Sequence, residues 1–227
     1  MQNIKLVIFD LDGTLIDAYG AICSSYNYVM RRMGLKPKSP AVIRRLVGWG
    51  DMNLLRPHVP QADLKKALNL YRSHHKFSLL RHAYLYPHAG TLLRKLKKRG
   101  LKLAVASNRP TRFSLILLRH LRIAELFDYV LCADKLKHGK PNPRILNKIV
   151  EKFAFSKPQV LYVGDMAIDA QAGRRAHVKT VIVSGGSSSL SEIRKERPLK
   201  IVAGIKDLMG IIRKDTAEVS LDSRLNR

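Results

Sequence analysis

Five short runs rich in β-branched and other apolar residues, at 4–9, 101–107, 129–132, 160–163 and 178–183, constrain this chain more than any other feature. Each is nearly continuous in its apolar character, which fits a strand covered on both faces, as in a parallel sheet. Segments with helical spacing lie between them, at 91–98, 111–120, 143–152 and 169–176. Strands alternating with helices build βαβ units with right-handed connections. The expected fold class is therefore α/β, a doubly wound parallel sheet. A chain of 227 residues, 46% of them apolar, suffices for one such domain carrying a smaller insert.

One stretch breaks the alternation. Tyr19, Ile22, Tyr26, Val29, Met30 and Met33 recur at three-to-four spacing, an amphipathic helix that stops at Gly34. Ser39-Pro40 reads as an N-cap followed by proline at the first helical position, opening a helix to about Val47. Leu64, Ala67, Leu68, Tyr71 and His75 mark another. We expect 17–85 to be an all-helical insert, 1–16 and 86–213 the sheet domain, and 214–227 a frayed tail of mixed charge.

The formal charge of +25 is spread over the body and forms no basic tail. It suits a solvated surface first and the steering of an anionic substrate second. No helix-turn-helix, RNP-type aromatic motif or Cys/His finger is present, so nucleic acid is not an expected partner. Two cysteines, Cys23 and Cys132, cannot staple a secreted scaffold and read as buried thiols in a reducing interior. No apolar run approaches the roughly 20 residues of a membrane span, and the N-terminus lacks signal-peptide character. A cytoplasmic location without membrane attachment is expected.

The chemistry gathers at strand ends, where open α/β sheets bind their ligands. Asp10 and Asp12 follow the first strand two residues apart, a spacing that lets both carboxylates face one side. A carboxylate can attack phosphorus to form an aspartyl-phosphate while a neighbouring carboxyl serves as acid and then base. Alone, such a pair also suits a capping turn. Three further stations change that. Ser107 and Asn108 follow the second run and offer a hydroxyl and a backbone N–H to phosphate oxygens. Lys140, ahead of Pro141, is a compact point charge suited to a phosphoryl group. Asp165 and Asp169 follow the fourth run. So many acids would repel a phosphate dianion without a lysine and a hard divalent cation, and Mg²⁺ matches oxygen ligands of this kind.

The ordered set Asp10-Leu11-Asp12-Gly13-Thr14, Ser107-Asn108, Lys140-Pro141 and Gly164-Asp165 with Asp169 resembles the haloacid dehalogenase superfamily of phosphohydrolases. The resemblance runs from Ile4 to about Val183, with the helical insert matching that superfamily's cap. The segments 7–17 and 86–90 look most like its phosphoglycolate phosphatase group. The resemblance implies Asp10 as nucleophile, Asp12 as general acid and base, and Mg²⁺ held by the Asp10 carboxylate, the Asp12 carbonyl and Asp165. Thr14, Ser107, Asn108 and Lys140 fall with the phosphate-binding residues, and Asp169 would orient a metal-bound water or Lys140. Its other reading is a carboxylate serving the helix dipole. Asp12 argues against a dehalogenase, since a departing halide needs no acid.

Arg109 lies where it could reach the leaving group or a second anion. Trp49, between Gly48 and Gly50, is either a substrate-facing residue of a cap specificity loop or a packing anchor. His58, His74, His75 and His82 lack zinc-site spacing and are assigned surface or helix-packing roles. The run 185–189 reads as a flexible loop. The expected function is Mg²⁺-dependent hydrolysis of a small phosphorylated metabolite, with 2-phosphoglycolate a candidate. The alternatives are a β-phosphoglucomutase-like phosphotransferase, a pyrophosphate or nucleotide phosphatase, and, from another class, a basic nucleic-acid-binding or scaffold protein on a hydrolase fold.

Overall fold

The computed structural model describes residues 4–212, so the tail expected at 214–227 lies outside the described residues. Six parallel strands form one sheet: β1 (Leu6–Phe9), β4 (Lys102–Ser107), β5 (Tyr129–Cys132), β6 (Val160–Gly164), β7 (Lys179–Val183) and β8 (Lys200–Val202), in the order β5-β4-β1-β6-β7-β8. The chain first winds outward from β1 to β4 and β5, then restarts at β6 on the other side. The order reverses beside β1, and a crevice opens there at the carboxyl ends of the strands.

Alternation along each strand sorts the side chains onto two faces. Val7 and Phe9 of β1, Leu103 and Val105 of β4, and Leu161 and Val163 of β6 enter one core; Leu6, Ile8, Ala104, Ala106, Val160 and Tyr162 enter the other. Helices α5 (Ala89–Lys98), α6 (Thr111–His120) and α10 (Leu208–Ile211) cover the first face. Helices α7 (Arg144–Phe153) and α8 (Ala167–Ala176) cover the second. A short helix, α9 (Leu190–Lys195), precedes the last strand.

Between β1 and α5 lies the helical insertion: α1 (Tyr19–Arg32), α2 (Pro40–Leu46), α3 (Asp51–Leu55) and α4 (Leu64–His82). The apolar face of α1, with Ile22, Tyr26, Val29 and Met30, is buried, and α1 packs along α4, whose buried face carries Leu64, Ala67, Leu68, Tyr71, His75 and Leu79. Ser39 caps α2 by accepting from the Val42 N–H at 3.4 Å, with Pro40 at the first helical position. The insertion is not helical throughout. Its ends pair as a two-stranded antiparallel ribbon, β2 (Ile16–Asp17) with β3 (Tyr84–Leu85). Strands of two residues are too short for alternation to register in a sequence. The segment 185–189, expected to be a flexible loop, is gripped by the insertion: Arg45 donates to the Ser187 carbonyl at 2.6 Å, and Arg44 donates to that of Gly185. Among the described residues no helix is long and apolar enough to cross a membrane.

Ile149 of α7 is fully buried on the sheet face away from the insertion. Ile149→Ala is expected to cost about 2–5 kcal/mol in urea unfolding.

Candidate active site

Register places the acids. Phe9, the last residue of β1, lies level with Val105 and Val163, and the neighbouring strands run on to Ser107 and Gly164, so their ends flank the residues after β1. The next residue, Asp10, donates its N–H to the Val163 carbonyl at 2.9 Å, and its carboxylate emerges at the crevice. Gly13 then turns the chain with φ of +83°, and a Cβ there would stand 2.2 Å from Asp165 Oδ2, so this position has both a conformational and a steric need for glycine.

Lys140 reaches this point from the segment after β5. Its ammonium lies 2.9 Å from Asp10 Oδ1 and 2.7 Å from Asp169 Oδ1, and it donates to the Tyr162 hydroxyl at 3.1 Å. Burial works against its charge, but Asp10 and Asp169 outweigh burial and keep the amine protonated. Asp169 is saturated. Oδ1 also accepts from the Tyr162 hydroxyl at 2.6 Å, while Oδ2 accepts the backbone N–H groups of Asp165 and Met166 at 3.2 and 3.0 Å. Asp169 therefore orients Lys140 and ties down the turn after β6.

Asp165 is fully buried, and its Oδ1 accepts from the Thr14 hydroxyl at 3.0 Å. Its Oδ2 is buried without a hydrogen-bond partner. A Cβ on Gly186 would fall 1.9 Å from that atom, so two glycines leave the space around it open. Burial pushes Asp165 well above the usual carboxylate range, reinforced by Asp169 and Asp10. Burial likewise raises Asp10 to about 7, with Lys140 opposing. Asp10, Asp165 and Asp169 each bring an oxygen within 4.8 Å of the others. Among the described residues, Asp10 and Asp169 pair with the buried Lys140 and Asp12 with the buried Arg109. Hard oxygen donors and an orphaned buried oxygen fit a divalent cation of the Mg²⁺ type. With Asp169 fully engaged, Asp10 and Asp165 are the carboxylates left to hold it.

Asp12 is gripped by Arg109, whose Nε and Nη2 donate to its two oxygens at 2.9 and 2.6 Å. The remaining guanidinium nitrogen, Nη1, lies 2.8 Å from Nε2 of His75 on α4. Arg109 was expected near a leaving group or second anion; in the structure its charge is engaged by Asp12. Ser107 is buried beside it, its hydroxyl accepting the Arg109 N–H at 3.2 Å.

Three of the expected site residues make further contacts. Thr14, placed with the phosphate-binding residues, spends its hydroxyl on Asp165. The Asn108 side chain is a pin: Oδ1 accepts from Lys140 N–H at 2.7 Å, while Nδ2 donates to the carbonyls of Lys140 and Gly48 at 3.0 and 2.8 Å. Trp49 is 45% exposed and lines a groove with Asn108, Asp134, Lys137 and Lys140. Gly48, Gly50 and Asp51 line the central cavity instead, with Asp10, Asp12, Ser107 and Arg109; its volume is about 40 Å³. His75, expected at the surface or in helix packing, is 1% exposed and packs on Tyr71, and it also reaches Arg109 at the site. Sequence reasoning also missed Tyr162, which in a strand reads as one more core aromatic. The periodic spacing of His75 with Tyr71 on α4 was the only available signal for its burial.

Residues 7–183 match the haloacid dehalogenase-like hydrolase family. The phosphoglycolate phosphatase of Rhodobacter capsulatus is 33% identical over 186 residues, spanning 79% of this chain and 84% of that protein. That of Pseudomonas fluorescens is 28% identical over 225 residues, spanning 96% and 83%. Among solved structures, a predicted phosphoglycolate phosphatase from Haemophilus somnus superposes with a TM-score of 0.89 at 26% identity, covering 94% of this chain and all of that one. CbbY of Rhodobacter sphaeroides, solved with phosphate, shares the fold with a TM-score of 0.80 at 17% identity, covering 91% of this chain and 96% of that one. With a match across most of its length and two acids after the first strand, the chain belongs to the haloacid dehalogenase-like hydrolases, on the phosphatase side of that family.

Proposed function

We propose that this hydrolase cleaves a small phosphomonoester through an aspartyl-phosphate on Asp10, with 2-phosphoglycolate the first substrate to test. The observation that carries this reading is the meeting of Asp10, Asp165 and Lys140 in one buried cluster, with Asp12 beside it in the same cavity as Asp10. Asp10 attacks phosphorus in line while Asp12 gives a proton to the departing alcohol oxygen. In the second step Asp12 takes a proton from water, whose oxygen attacks the phosphorus of the aspartyl-phosphate. Phosphate leaves and Asp10 is restored. Lys140 holds the phosphoryl oxygens, with Ser107 and the backbone after it as further donors, supplying the positioning and charge stabilisation this reaction class relies on. Mg²⁺ would be held by the Asp10 and Asp165 carboxylates and the Asp12 carbonyl, supplying Lewis-acid neutralisation of phosphoryl charge.

The insertion acts as a cap in this reading, excluding water and choosing the leaving group. Gly48, Gly50, Asp51 and His75 of the insertion line the cavity with Asp10 and Asp12, so they bound the space left for the leaving group, and a small one suits this reading. The relatives named phosphoglycolate phosphatases support that size class.

Asp10→Asn is expected to abolish phosphate release while the chain still folds, because Lys140 keeps Asp169 at 2.7 Å; turnover at the parental rate would sink the nucleophile assignment. Asp12→Asn should lose about 10²–10⁴-fold on alkyl phosphates and much less on p-nitrophenyl phosphate, whose leaving group needs no proton. An equal loss on both would contradict its acid role. EDTA should stop turnover and added Mg²⁺ restore it; activity that survives thorough chelation would refute the metal requirement. A phosphate-release screen over small phosphometabolites, with Asp10→Asn as blank, identifies the substrate.

A further inference from the structure

The guanidinium of Arg109 has two hydrogen-bonding edges, and they face different parts of the molecule. The Nε–Nη2 edge lies against both oxygens of Asp12, a core residue, at 2.9 and 2.6 Å. Nη1 meets Nε2 of His75, a residue of the insertion, at 2.8 Å. A guanidinium can only donate, so the His75 Nε2 in this contact is an acceptor and Nδ1 carries the proton. The far side of the ring agrees. Nδ1 lies 3.0 Å from Ser25 Oγ, and that hydroxyl donates its own proton to the Ala21 carbonyl at 2.9 Å, leaving its lone pairs for His75. Burial, followed by the nearby Arg109 charge, holds the imidazole well below its ordinary pKa and therefore neutral.

The ring is also fixed in plane. Tyr71 stacks on one side with centroids 4.7 Å apart, and Phe113 of α6 meets it edge-on at 5.4 Å. The geometry points to His75 as a positioning residue: from the helical insertion it holds Arg109 in the one orientation that presents a two-point grip to Asp12, so that the direction of the Asp12 carboxylate is set by the insertion. Asp51, the acid that lines the cavity from the insertion, is paired with Arg72 at 3.0 Å, so His75 is the insertion's hydrogen-bonding contact to Arg109. Because the His75–Arg109 contact joins the insertion to the loop after β4, it exists only while the insertion sits over the site as it does here.

The inference rests on the proposed acid role of Asp12, and the test separates the two. His75→Leu keeps side-chain bulk but removes the acceptor, whereas His75→Gln can return an acceptor near the position of Nε2. Turnover of 2-phosphoglycolate, or of another alkyl phosphate the parent accepts, is compared with turnover of p-nitrophenyl phosphate, alongside Asp12→Asn. We expect His75→Leu to lower kcat on the alkyl ester about 10-fold more than on the nitrophenyl ester, with KM changed less than about 3-fold. His75→Gln should recover most of that difference. Equal losses on both esters, or Gln no better than Leu, overturn the positioning role. If Asp12→Asn shows leaving-group selectivity and His75→Leu does not, this inference alone fails. If Asp12→Asn shows none, the acid assignment fails and the inference with it. Should the Leu variant not fold, Ser25→Ala, which removes the hydroxyl facing Nδ1, carries the same test with an expected selective loss of about 3-fold.

Discussion

An ammonium group buried between two carboxylates organises the centre of this molecule. Lys140, its side chain 1% exposed, sits within 3 Å of both Asp10, just after β1, and Asp169, in the first turn of α8. An unpaired charge at that depth would cost several kcal/mol, so the three residues require one another. Asp169 in turn holds the backbone after β6 and the Tyr162 hydroxyl. The ends of β1 and β6 and the segment after β5 are thus locked together by one electrostatic knot. The Asp165 Oδ2, buried without a hydrogen-bond partner beside Asp10, is what leaves the cluster suited to a cation.

A second set of polar contacts holds the insertion down. Asn108 reaches from the end of β4 to the Gly48 carbonyl at 2.8 Å, and His75 meets Arg109 on the same side. On the opposite side Arg45 binds the Ser187 carbonyl and pairs with Glu192 at 2.8 Å, while the Tyr19 hydroxyl meets that of Ser187 at 3.2 Å. The Arg45–Glu192 pair is exposed and contributes little by itself. The Asn108 bonds differ in kind, because the same side chain also aligns the Lys140 backbone. Closing the insertion and placing the lysine segment share one amide.

The strand ends were legible in the sequence because apolar runs announce where a buried strand stops, and every acid of the central cluster stands one or a few residues past such a stop. The helices α1, α2 and α4 were legible from their spacing and, for α2, from its Ser-Pro start. Contacts between distant parts of the chain were not. Nothing local says that Thr14 will serve Asp165 across 151 residues, or that Asn108 will spend its amide on the backbone. His75 shows the limit most sharply. On a helix bearing Leu68, Tyr71 and Leu79 it reads as packing, and only the arrival of Arg109 from another element makes it a hydrogen-bond acceptor at the site. Trp49 shows the converse: a lone indole attracts notice, but the flanking Gly48 and Gly50 are what line the central cavity.

The short ribbon of β2 and β3 has an architectural consequence. Ile16 lies opposite Leu85 and Asp17 opposite Tyr84, and the Tyr86 N–H continues the pairing to the Leu15 carbonyl at 2.9 Å. The chain thus leaves the sheet and returns to it through adjoining doorways. Whatever is spliced between them, long or short, leaves the order of the six parallel strands undisturbed. Evolution can exchange the roof of such a molecule for another without rebuilding its foundations.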